Sequence, residues 1–216
     1  MAPGRFITLE GGEGAGKSTL ARSLADRVEA LGLRVSVTRE PGGSPKAEAI
    51  REAILSGRVK QHGAFVEALM FSAARIDHID RLIRPALQRG EWVICDRFID
   101  STRVYQGALG RIDAGLLAEL EAVTIDGLMP DLTLILDLDP TIGLARAARR
   151  RAPGEGSDRF ESETLAFHRT LRQAYLAIAE REPSRCVVLD AAQPPAVLAQ
   201  AAWTAIRERL PAPQVA

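Results

Sequence analysis

An apolar run, Phe6–Leu9, leads almost directly into Gly11-Gly12-Glu13-Gly14-Ala15-Gly16-Lys17-Ser18, and Leu20, Leu24 and Val28 then recur at four-residue spacing. This is G-x-x-x-x-G-K-[ST] between a strand pattern and a helix pattern, the context the motif requires. Backbone N–H groups from Gly14 to Ser18 would ring a β-phosphate at the positive end of the following helix. Lys17 would reach β- and γ-phosphate oxygens, and Ser18 would offer its hydroxyl to Mg²⁺ accompanying ATP. The segment Gly11 to Thr19 is the expected ATP-binding stretch. Glycine is demanded where a side chain would block the close approach of backbone to phosphate. The pattern does not separate kinase from GTPase, ATPase or motor. No Asn-Lys-x-Asp guanine motif occurs, which disfavours a GTPase.

The rest of the chain fits an α/β fold. Phe6–Leu9, Arg34–Thr38, Trp92–Cys95, Leu132–Leu138 and Arg185–Leu189 are short, near-continuously apolar at their centres, and read as strands covered on both faces. Helical patterns separate them: Lys17–Ala30, Ala47–Leu55, Phe65–Gln88 (with Pro85 a kink or break), Ala114–Ile125, Thr141–Arg150, Phe160–Glu180 and Ala196–Arg209. Asp139 can cap the fifth of these with Pro140 at its first position, and Asp158 with Glu161 suggests a capping box for the sixth. Strand–helix alternation implies a parallel sheet within helical layers. No repeat or linker divides residues 1–216, so one domain is expected.

Composition narrows the partners. Twenty-eight basic residues balance 28 acidic ones, against a nonspecific nucleic-acid or anionic-membrane binder. No apolar run approaches membrane-spanning length, and the only two cysteines, Cys95 and Cys186, sit in apolar runs as free thiols would. A cytoplasmic protein is the expectation. His62, His78 and His168 are too scattered to suggest a metal site.

A phosphoryl-transfer enzyme must hold a second anion in line with the γ-phosphate and exclude water. Arg39 follows the second strand pattern and Arg97 the third, where open α/β sheets place ligands. Arg51 and Arg75 lie in helical segments, with Phe71 one turn from Arg75. Asp96 is a better candidate than Asp137 or Asp139 for the acid near Mg²⁺. Arg146, Arg149, Arg150 and Arg151 precede Ala-Pro-Gly-Glu-Gly-Ser, and the stretch 146–159 reads as a lid.

Four segments together are more specific than the loop alone: Phe6-Ile7-Thr8-Leu9-Glu10-Gly11, Thr38-Arg39-Glu40-Pro41-Gly42-Gly43, Asp96-Arg97-Phe98 with Ser101 and Tyr105-Gln106, and Asp158-Arg159-Phe160-Glu161. In this order the chain resembles the bacterial thymidylate kinases over nearly its whole length. The resemblance implies a three-layer P-loop NTPase fold with a five-stranded parallel sheet ordered 2-3-1-4-5, a homodimer, and conversion of dTMP and ATP to dTDP and ADP. It implies Arg97 and Arg39 as dTMP phosphate ligands, Phe71 stacked on thymine and Arg75 on a thymine carbonyl. It further implies Thr102 and Gln106 at the pyrimidine edge, Tyr105 beneath the sugar, Glu13 near its 3′-OH and Asp96 beside Mg²⁺, with lid arginines such as Arg149 and Arg151 acting on the transferring phosphoryl. Phe98 stands where Tyr is commoner, and Ala15 where another branch carries an Arg. A kinase for dUMP, dCMP or dGMP, or a non-catalytic ATP-binding regulator, are the alternatives.

Overall fold

A computed structural model describes residues 4–150 and 160–210. Its sheet is parallel throughout and ordered β2-β3-β1-β4-β5, with β1 Phe6–Gly11, β2 Val35–Arg39, β3 Trp92–Asp96, β4 Leu132–Asp137 and β5 Cys186–Asp190. The expected order 2-3-1-4-5 is the observed one. Burial divides the strands. Those in the middle, β1, β3 and β4, are covered on both faces, whereas the edges are half open, leaving Val37 on β2 and Val188 on β5 exposed. An apolar run reports a strand's propensity but not its place in the sheet.

Alternation along β1 splits the core in two. Ile7 and Leu9 join Leu20, Leu24 and Val28 of α1 (Lys17–Glu29) and Leu198, Ala202 and Ile206 of α9 (Pro195–Arg209) on one face. Phe6 packs with Ile79, Ile83, Phe98 and Ile99 on the other, and Ile135 there meets Leu171 and Tyr175 of α8 (Leu165–Arg181). That parity points Glu10 into the second face, beneath the loop that follows β3.

Helix starts follow their capping chemistry. Ser44 accepts from the Ala47 N–H at the start of α2 (Pro45–Leu55), and Asp113 accepts from the Leu116 N–H at α6 (Ala114–Ile125). Asp139 accepts from the Thr141 N–H at α7 (Pro140–Arg150), so its role is capping, and that contact holds its carboxyl below the ordinary range. Two expectations need correction. Helix α8 starts at Leu165 with Thr164 as its cap, while Phe160–Glu163 forms a turn. The proposed cap Asp158 lies outside the described residues. The long helix is continuous as α3 (Ala64–His78), a π-helical turn Ile79–Ile83, and α4 (Arg84–Gln88). The wider turn precedes Pro85, whose ring would otherwise meet the carbonyl four residues back. Sequence reading missed α5 (Ile99–Thr102) and the π-helical turns Arg103–Leu109. Among the described residues no helix is long and apolar enough to cross a membrane.

Helix α7 is seated against the Gly-rich loop by two glycines. A Cβ on Gly143 would lie 2.3 Å from the Glu13 carbonyl oxygen, and one on Gly14 would lie 2.0 Å from the Gly143 oxygen. Alanine is the better helix former at position 143 by about 1 kcal/mol. Gly143→Ala should nevertheless destabilise the protein by about 1–3 kcal/mol, because backbone on both sides must shift. Thermal denaturation would read this as a lower melting temperature, and a rise would mean the loop gives way freely.

Candidate active site

One cavity of about 240 Å³ lies at the carboxyl ends of β1, β2 and β3. Glu13, Gly14, Ala15, Gly16, Lys17 and Ser18 line one side. Arg39, Glu40, Arg51, Phe71, Arg75, Asp96, Arg97, Thr102, Tyr105 and Gln106 are among the residues that line the other sides. The arginines after the second and third strands thus face the same cleft as the glycine loop. Gly11, Gly12 and Thr19 do not line it. The first two carbonyls accept hydrogen bonds from Lys17 Nζ at 3.0 and 2.8 Å, and Thr19 is exposed. Gly11 has φ +134° and a Cβ there would meet the Leu136 oxygen at 2.5 Å, so its glycine serves the turn out of β1.

Parallel pairing builds the centre. Leu9 is opposite Asp96 in the β1–β3 register, which sets Glu10 beside Arg97. Arg97 has φ +70°, a region L side chains enter rarely and at a cost of about 1–3 kcal/mol. Its neighbours hold it there. Its N–H donates to the Leu9 carbonyl at 2.9 Å, and the next N–H, of Phe98, donates to Glu10 Oε1 at 2.8 Å. Glu10 Oε2 also accepts from the Ser101 hydroxyl at 2.7 Å and the Tyr175 hydroxyl at 3.1 Å. Those hydroxyls in turn lie 3.3 Å from Arg97 Nη1. The carboxylate therefore supports the guanidinium through two hydroxyls. Tyr175 and Glu10 escaped the sequence reading, although a lone acid ending an apolar strand was visible.

Charge in the cleft is self-paired. Arg97 Nη2 donates to Glu13 Oε1 at 2.5 Å, and the Arg97 guanidinium sits 5.3 Å from the Tyr105 ring centre. Burial pushes the Glu13 carboxyl up, but Arg97, Lys17, His168 and Arg150 outweigh it and hold the group below its usual value. Burial, then the nearby Arg97, lowers the Lys17 ammonium. Arg39 is more exposed and pairs with Glu48 at 3.1 Å, while Arg51 donates to the Pro41 carbonyl at 2.7 Å.

The expected base-reading residues are polar but internally engaged. Arg75 is buried and donates to Glu40 at 2.6 Å, to Thr102 Oγ1 at 3.0 Å and to the Phe98 carbonyl at 3.1 Å. The Gln106 amide nitrogen donates to Glu67 at 2.7 Å. Phe98 is fully buried at the floor of the cleft and lies edge-on to Phe6. Ala15 is packed into the core. The lid arginines divide: Arg146 donates to the Ala191 carbonyl, Arg149 turns back to the Ala145 carbonyl, and Arg150 lines the cleft. The expectation for Arg149 is thus corrected in favour of Arg150, and Arg151 lies outside the described residues. Phe160 and Glu161 also line the cleft, with Phe160 edge-on to Tyr105 at 5.0 Å.

Ser18 Oγ donates to Asp96 Oδ2 at 2.6 Å beside Lys17. A hydroxyl and a carboxylate meeting at the phosphate loop suit Mg²⁺, which binds oxygen through one or two protein ligands and completes its shell with water and phosphates. Among the described residues no group of three or more His, Cys, Asp or Glu side chains forms a cation site independent of such a ligand.

A glycine loop at a helix N-terminus, facing two strand-end arginines, defines a P-loop phosphotransferase with places for a donor and an acceptor phosphate. The thymidylate kinase family profile matches residues 9–202. Thymidylate kinases of Rhodopseudomonas palustris and Bradyrhizobium diazoefficiens are 60% and 56% identical over 96% of this chain and 90% of their own lengths. The crystal structure of the Ehrlichia chaffeensis thymidylate kinase superposes with a TM-score of 0.76 at 31% identity, covering 94% of this chain and all of the other. The chain belongs to the thymidylate kinase family.

Burial and the nearby Asp100 carboxylate raise the Glu10 carboxyl from 4.5 to about 7. Between those values the folded protein holds a proton that the unfolded chain has released, so this group's contribution to stability falls as pH rises through the window. Glu10→Gln removes that component. Its melting temperature should decline less steeply from pH 5 to pH 8 than that of the wild type, as followed by thermal denaturation.

Proposed function

We propose that this enzyme transfers the γ-phosphoryl group of ATP to the phosphate of dTMP, giving dTDP and ADP. The observation that carries the reading is the single cleft in which Lys17 and Ser18 face Arg97, Arg39 and Arg75. The acceptor phosphate, already ionised near pH 7, attacks the γ-phosphorus in line, so no side chain need remove a proton. Lys17 exchanges the Gly11 and Gly12 carbonyls for donor phosphate oxygens, and the Gly14–Ser18 backbone N–H groups bind the β-phosphate. Arg97 and Arg39, assisted by Arg51, hold the acceptor phosphate, and Arg150 brings a further positive charge from α7. Ser18 and Asp96 would hold Mg²⁺. Bound there, the ion neutralises charge on the donor phosphates.

On the acceptor side Phe71 stacks on thymine, and Arg75 donates to its position-4 carbonyl. Thr102 and Gln106 line the pyrimidine edge. Tyr105 lies under the sugar, and Glu13 accepts from its 3′-OH. A base with an amino group at position 4 meets donor against donor at Arg75 and is rejected. The thymine methyl is worth only about 1–3 kcal/mol, so dUMP should turn over at about 10- to 200-fold lower kcat/KM. ADP release coupled to a monophosphate panel tests this: dTMP should rank first and dUMP second. Turnover fastest with dCMP or dGMP, or none with any monophosphate, would remove the reading.

The same proposal takes the chain as a single domain with a lid over about 146–159, working in the cytoplasm, in keeping with two buried free thiols. It also takes the enzyme as a homodimer. Phe65, Leu69 and Ile76 on α3 and Leu116 and Val123 on α6 are exposed on two helices that pack together, and such apolar side chains are what a partner subunit would cover. Light scattering during size exclusion should give twice the chain mass, and Leu69→Asp should shift it to the monomer value.

A further inference from the structure

A chain of buried polar contacts runs from β2 to the cleft: Thr38 and His78 lie behind it, and Glu40 and Arg75 line it. Thr38 Oγ1 and His78 Nε2 are 2.7 Å apart, and His78 Nδ1 lies 3.0 Å from Glu40 Oε1. Glu40 Oε2 accepts from Arg75 Nε at 2.6 Å. None of Thr38, His78, Glu40 and Arg75 is more than a tenth exposed, and His78 is wholly buried. The turn after β2 is shaped around the ring: Gly43 has φ +85°, and a Cβ there would meet His78 Nε2 at 2.3 Å and Thr38 Oγ1 at 2.6 Å.

A guanidinium and a carboxylate with both partners free form a two-pronged pair, each oxygen taking an N–H. Here the carboxylate gives only one oxygen to Arg75, because His78 occupies the other. Nη1 and Nη2 donate once each, to Thr102 and the Phe98 carbonyl, which leaves one N–H on each of them uncommitted. We infer that His78 is a positioning residue for recognition of the acceptor base: by occupying Glu40 Oε1 it keeps the Glu40–Arg75 pair single-pronged and leaves Arg75 donors for a carbonyl of the nucleotide. Without the imidazole, Glu40 Oε1 is a buried acceptor lacking a donor, and the nearest supply is the guanidinium itself. Arg75 then turns toward Glu40 and away from the base. The inference rests on the assignment of Arg75 to the base.

The test is steady-state kinetics of His78→Leu, His78→Asn, Glu40→Gln and Arg75→Ala with dTMP, dCMP and ATP. His78→Leu should raise the KM for dTMP about tenfold and reduce the preference for dTMP over dCMP by a similar factor, the equivalent of one charge-assisted hydrogen bond. Its kcat and its KM for ATP should stay within about twofold, since the phosphate-binding groups are untouched. His78→Asn, whose amide nitrogen can replace Nδ1, should recover most of the loss. An unchanged dTMP KM in His78→Leu would overturn the inference. So would a joint loss of kcat and both KM values in both His78 variants, which is the mark of general damage. If His78→Leu does not fold, Glu40→Gln decides: an amide offers Arg75 one acceptor oxygen and no two-pronged pair, so the inference requires the preference for dTMP over dCMP to persist there, and its loss would overturn the inference. Arg75→Ala separates the two layers. An unaltered dTMP KM in that variant removes the base assignment itself, whereas a raised KM beside unaffected His78 variants removes only the role of His78.

Discussion

Parallel pairing of β1 with β3 is the constraint on which the site depends. Once Leu9 stands opposite Asp96, the acid that ends one strand and the arginine that follows the other are neighbours. The glycine loop has then only one direction in which to leave the sheet. Pairing of β2 with β3, Arg39 against Asp96, brings the second arginine to the same edge. The three groups, at 9–10, 39 and 96–97, are dozens of positions apart in the chain. The sheet brings them within one cavity because parallel strands share a carboxyl end, and the helices that return the chain occupy the faces and leave that end open.

Two kinds of ion pair meet in this cavity, and they respond differently to a ligand. Arg39 and Glu48 are half exposed, and such a pair contributes about 0–1 kcal/mol, so an acceptor phosphate held by Arg39 as proposed would displace Glu48 at little cost. Arg97 and Glu13 are mostly buried, and separating a buried pair costs about 3–5 kcal/mol. A phosphate is accommodated best by sharing Arg97 with Glu13 and drawing on the Nη1 hydrogens now spent on long contacts to Ser101 and Tyr175. The strained backbone of Arg97 fits this division. Its turn is fastened from below by Glu10, so the guanidinium can change partners while its Cα stays in place.

How much of this was legible depended on the range of the forces involved. Glycine, lysine and the apolar strand form one local signal, and the P-loop could be read from residues 6–28 alone. Strand order was accessible only through family resemblance, since apolar runs carry no information about neighbours. The segment Ile99–Leu109 was opaque because its helical form depends on burial of Ile99, Val104 and Gln106 against other elements and not on a local apolar period. Capping was readable at Asp139, where Pro140 fixes the register, but not at Thr164, since Asp158 with Glu161 offers an equally good local pattern. Among the lid arginines, sequence could not choose, because successive residues of a helix point in different directions and only the placement of α7 against Glu13 brings Arg150 to the cleft.

The buried polar groups around the acceptor side belong to one design in physical terms. A nucleoside monophosphate presents a dianion at one end and a hydrogen-bonding edge at the other, and a protein must meet both without collapsing on itself when the cleft is empty. Carboxylates partner the arginines of the cleft: Glu13 pairs with Arg97, Glu48 with Arg39, and Glu40 with Arg75. A carboxylate that binds its arginine too well would compete with the substrate. The structure limits each one by giving it a second donor. Glu48 accepts from the Gly43 N–H, Glu13 lies 3.5 Å from the Tyr105 hydroxyl, and Glu40 accepts from His78. Shared acceptors keep the arginines oriented yet incompletely satisfied, and the capacity left over is what a phosphate or a base carbonyl can use.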